Sequence, residues 1–149
     1  MISKKLKDDM KTAMKSGQKE RLGVIRMLLS ELKNAGLAAA QELTSDEEEK
    51  VLAGYAKKRV EAMEACRQAG RVDLFEKERR EHEITTSYLP PKLTEQELET
   101  IIVEKIAETG AGGMKDFGRV MKAVMASVGS RAEGTMVSAA VKKVLANQS

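Results

Sequence analysis

A chain of 149 residues suits one domain, or two small ones that each bury a modest core. Apolar residues make up 42% of it but aromatics only 3%, so the core must be Leu, Ile, Val, Met and Ala, which favours helices over strands. Twenty-six Lys and Arg against 23 Asp and Glu leave a net charge of +3, so the chain binds polyanions only if that charge is unevenly placed; the single cysteine, Cys66, excludes an internal disulfide.

No signal peptide and no apolar run of about 18 residues is visible, so the expected setting is reducing, aqueous and cytoplasmic, with no membrane partner. Ile2, Leu6, Met10, Ala13 and Met14 recur at the spacing of one helix face, and Gly17 supplies a stop. Leu22, Ile25, Leu28, Leu29 and Leu32 continue that spacing in a second helix, which weakens at Asn34 and Gly36. Thr44 with Glu47 reads as a capping box opening a long helix that carries Val51, Leu52, Tyr55, Met63 and Cys66 and stops at Gly70. Asp73 is placed to cap a fourth helix through about Ser87.

Tyr88, Leu89, Pro90 and Pro91 cannot continue a helix, because two prolines remove donors and push Leu89 out of the helical region. This marks the expected domain boundary, with an N-terminal four-helix domain over 1–89 and a C-terminal three-helix domain over 90–149. Beyond it, Thr94 and Glu97 form a second capping box for a helix with Leu98, Ile101, Ile102, Val103 and Ile106, stopping before Gly110. After the loop Gly110–Gly113, Asp116 is a cap for a helix bearing Phe117, Val120, Met121, Val124 and Val128. Ser130 with Glu133 reads as a third capping box, and the last helix presents Met136, Val137, Ala140, Val141, Val144 and Leu145. The fold class is therefore all-α, with two small helical domains. A three-helix domain of under 60 residues is marginal by itself, so docking onto the first would help it.

Catalytic chemistry finds little to build on. The one histidine, His82, lies among Glu81 and Glu83 and has no Cys or His at ligand spacing, so no metal is implied. Cys66 beside Arg67 reads as a small hydrophobe on a helix before it reads as a reactive thiol. The Gly110–Gly113 loop lacks the Lys and Ser/Thr of a nucleotide loop and follows a helix instead of a strand. Glu47, Glu48 and Glu49 are consecutive, so they splay around a helix as a solvated first turn. No nucleophile has a base and an orienting partner, so the reading is of no catalytic residues, no cofactor and no autonomous enzyme.

Charge placement says more. Residues 92–109 hold Lys92 and Lys105 against five Glu, a balance of −3. From residue 110 onward Lys115, Arg119, Lys122, Arg131, Lys142 and Lys143 face only Asp116 and Glu133, a balance of +4. Lys115, Arg119 and Lys122 are three or four apart and can share one helix face, a stripe able to contact phosphates.

The order of these residues resembles the YqeY family over nearly the whole chain. The likeness is carried by Arg26–Asn34 (RMLLSELKN), Ala69, Gly70, Arg71, Asp73 and Leu74, then Tyr88, Leu89 and Pro90, then Gly113–Met121 (GMKDFGRVM). It implies a four-helix domain followed by a three-helix domain like the tail of the B subunit of tRNA-dependent amidotransferases. That tail helps hold the tRNA, and the family is associated with carbon-nitrogen ligase activity using glutamine as amido-N-donor. ATP-binding and glutamine-hydrolysing machinery has no counterpart here, so the resemblance implies a tRNA-binding or accessory module. Its motif carries over Lys115, Arg119 and Arg131 as tRNA contacts; Lys122, Lys142 and Lys143 join them on charge alone. Ala126–Ser130 departs from the family's pattern of further lysines and a proline, which removes positive charge beside Arg131. Expected partners are tRNA, amidotransferase subunits or other proteins. The competing reading is a helical protein-interaction module, suggested by Met121, Met125 and Met136.

Overall fold

A computed structural model describes residues 1–148 and contains, among these, seven α-helices, two 3₁₀ turns and no strand. The helices are α1 (Ile2–Ser16), α2 (Lys19–Ala39), α3 (Ser45–Gln68), α4 (Val72–Thr86), α5 (Glu95–Thr109), α6 (Phe117–Val128) and α7 (Gly134–Gln148). They form two compact units, one reaching Pro90 and the other starting at Pro91.

In the N-terminal unit, Leu6, Val24, Ile25, Leu28, Leu32 and Leu52 form the core, joined by Tyr88 from the segment after α4. Gly17 ends α1 in the left-handed region at φ 70°, its N–H donating to the Ala13 carbonyl. Met14 is 55% exposed and so falls outside the expected apolar face. At 3.6 residues per turn, each i+4 step from Ile2 rotates about 40° too far, and by Met14 the drift has left the core.

Helix α2 runs through Asn34 and Gly36 to Ala39, so neither residue ends it. The left-handed residue that terminates α2 is Ala40, at φ 54°. Gly36 accepts from Gln41 N–H at 3.2 Å, which folds the following loop back over the end of α2.

Helix α3 opens with the expected capping box: Glu47 N–H donates to the Thr44 hydroxyl (3.2 Å) and Thr44 N–H donates to the Glu47 carboxylate (2.8 Å). Helix α4 begins at Val72 with Arg71 as its first flanking residue and no side-chain cap. Asp73 therefore lies inside the first turn, where its charge suits the helix dipole, instead of capping it.

In the C-terminal unit, Leu98, Ile102, Ile106, Val120, Val124, Val137, Val141 and Leu145 form a second core. Val103 is 49% exposed, because Leu98, Ile102 and Ile106 already define the buried stripe of α5. The Thr94–Glu97 capping box forms, with bonds of 3.1 and 2.9 Å. The Ser130–Glu133 box does not. Ser130 lies in a 3₁₀ turn (Gly129–Arg131), α7 starts only at Gly134, and the Ser130 hydroxyl is buried without a hydrogen-bond partner. Leu93 N–H donates to the Arg131 carbonyl at 2.9 Å, fastening the start of this unit to that turn.

Candidate nucleic-acid interface

Each basic residue of the C-terminal unit has a distinct setting. Gly113 takes φ 146°, open to glycine but not to side chains with a Cβ, and leads into a 3₁₀ turn, Met114–Asp116. Lys115 thus precedes α6 and is exposed on this tighter turn, so the expected single-helix stripe of Lys115, Arg119 and Lys122 is broken at its first member. Arg119 and Lys122 remain, exposed and three apart on α6.

Asp116 stands at the start of α6 but does not cap it. Its carboxylate accepts from Gly112 N–H at 2.9 Å and pairs with Arg119 at 3.1 Å. The Gly112 bond first, then the charges of Arg119 and Lys115, hold its pKa below the usual carboxylate value. The glycine loop is thereby folded onto its own aspartate, and Arg119 is partly neutralised.

Lys142 reaches this end of α6 from α7, with its ammonium 5.6 Å from the centre of the Phe117 ring. Lys115 and Arg119 thus lie at the start of α6, Lys142 reaches the same end over Phe117, and Lys143 is exposed one residue further along α7. Arg131 is elsewhere. Its guanidinium donates to the Ser127 carbonyl (3.0 Å) and the Val128 carbonyl (3.3 Å), closing the far end of α6. Helix α6 is twelve residues, about 18 Å, long, so that end lies a helix length from Lys115. Met121, Met125 and Met136 pack against the core, so they are not an open adaptable surface.

Three features lay beyond the sequence reading. Phe117 as a seat for Lys142 depends on the α6–α7 packing. Glu48 is 3% exposed, not part of a solvated turn, and its carboxylate accepts from Ser3 N–H at 3.1 Å, serving the open N-terminus of α1 from another helix. A second basic region was countable but overlooked: residues 1–39 hold nine Lys and Arg against four Asp and Glu, a balance of +5. Among the described residues no group of three or more His, Cys, Asp or Glu could hold a metal ion, and no helix is long and apolar enough to cross a membrane.

Two relatives are informative. The chain is 29% identical over 148 residues to the mitochondrial protein "Altered inheritance of mitochondria protein 41" of Pyrenophora tritici-repentis, covering 97% of this chain and 81% of the relative. It is 36% identical over 90 residues to an uncharacterized protein of Schizosaccharomyces pombe, covering 60% of this chain and 70% of that protein. Residues 3–145 match the YqeY family, described as Yqey-like protein, and the chain belongs to that family.

Proposed function

We propose that the C-terminal unit binds tRNA through its phosphates, and that the protein is a cytoplasmic accessory module for tRNA-dependent amidation without a catalytic centre of its own. The supporting observation is the +4 balance of residues 110–149, carried on exposed Lys115, Arg119, Lys122, Lys142 and Lys143, of which only Arg119 is ion-paired among the described residues. Phe117, the one aromatic here, is partly buried against the core, so the chemistry on offer is charge and shape, without base stacking.

Titrating the full chain with total tRNA tests this. Affinity should fall linearly on a log–log plot between about 50 and 200 mM salt, with each phosphate contact adding about 0.7–0.9 to the slope. Lys115→Glu, Arg119→Glu and Lys122→Glu together should abolish binding, and unchanged binding overturns the reading. Arg131→Gln should instead lower stability by about 1 kcal/mol while affecting affinity little, because its guanidinium is already spent on the carbonyls of α6.

A further inference from the structure

The N-terminal unit contains an open groove of about 1230 Å³ between α1 and the C-terminal half of α2, closed at one end by the loop that folds back over Gly36. Small-molecule sites occupy roughly 300–1,000 Å³ and enclose their ligand, so an open groove of this size suits a segment of polypeptide better. Its floor is apolar, formed by Met10, Leu29, Leu32 and Leu43, with Leu37 standing 69% exposed at its edge. A phosphate backbone would gain nothing from that floor.

The rim is basic. Lys7 and Lys11, one turn apart on α1, and Lys33 on α2 are exposed, and among the described residues none of them is in an ion pair. Two carboxylates also line the groove, Glu48, which is buried and accepts from Ser3 N–H, and Glu42 in the loop at the end, so the lining keeps three Lys against two Glu. From Leu29 to Ala40 the α2 wall is about 16 Å long, or three helical turns.

We propose that this groove docks an acidic amphipathic helix of a partner protein, about three turns long. Its apolar side chains at i, i+3, i+4 and i+7 would enter between α1 and α2, and its carboxylates would meet Lys7, Lys11 and Lys33. The site is separate from the basic cluster of the C-terminal unit, so the outcome of the tRNA titration leaves this proposal untouched.

The test uses the ¹⁵N-labelled full chain and a synthetic 14-residue peptide with Leu at those four spacings and Glu elsewhere. Saturable binding is expected, weakened by salt, with amide shifts confined to the groove around Leu29, Lys33, Leu37 and Leu43. Leu37→Glu, at an exposed position that spares the core, and Lys7→Glu with Lys11→Glu should each weaken binding about tenfold or more. The proposal is overturned by absent saturation, by equal binding of a scrambled peptide or of one with Lys in place of Glu, or by shifts elsewhere. It is also overturned if dilution alone moves the groove amides, which would mark self-association, or if anionic vesicles compete the peptide away and bind the groove themselves.

Discussion

Tyr88 belongs to the chain's proline boundary, yet its phenol is the hub of the N-terminal unit. It donates to the Asp9 carboxylate at 2.5 Å, accepts from Arg21 at 3.5 Å, and has the Lys5 ammonium 5.4 Å from its ring centre. Burial first, then the bond to Asp9, pushes its pKa from 10.0 up to about 12. The folded chain thus keeps the proton at pH values where the unfolded chain has released it. The stabilisation is complete below about pH 10 and is lost as pH rises toward about 12. Tyr88→Phe should cost about 1–2 kcal/mol in urea unfolding at neutral pH, and its deficit should shrink between those two pH values; a constant deficit would contradict the linkage. The boundary role of Tyr88 was legible because two prolines follow it. Its partners were not, since Asp9 lies 79 positions away. Glu48 makes the same point, since its partner Ser3 lies 45 positions away on α1.

The helices themselves were largely legible where their signals are local. Both boxes in which Thr precedes Glu by three residues form, because each closes within a single turn. The same spacing at Ser130 and Glu133 fails, since a turn held by Leu93 occupies the place where a helix would have to start. Glycine shows the difference between pattern and conformation. Gly17 is left-handed at φ 70°, whereas Gly23 lies within α2 with nothing within 4 Å of an added Cβ. Gly17→Ala should therefore destabilise by about 1 kcal/mol and Gly23→Ala should stabilise by about 0.5–1 kcal/mol, read from thermal unfolding. Equal effects of the two substitutions would show that neither backbone conformation matters.

Across the molecule, charge is arranged in blocks. In the N-terminal unit, Arg59, Arg67, Arg71, Arg79 and Arg80 are all in ion pairs, whereas among the described residues Lys4, Lys7, Lys11 and Lys15 of α1 are in none. Basic side chains outside ion pairs thus include those of α1 and those around the start of α6, the two places where a partner is proposed. Each unit also has its own buried cluster, so a fragment of residues 91–149 should stay helical and melt cooperatively by circular dichroism. A featureless melt would show that ten buried residues are too few for so short a chain. The sequence by itself determined the all-helical class, most helix positions, the family and the uneven charge, because periodicity, caps and composition act over a few residues. Only the tertiary structure decided which charges are free. Arg131 is consumed by the end of α6, Lys142 is brought to Phe117, Glu48 is withdrawn to serve α1, and the groove opens between two helices. Those outcomes depend on side chains that meet across helices, and spacing along one helix carries no record of them.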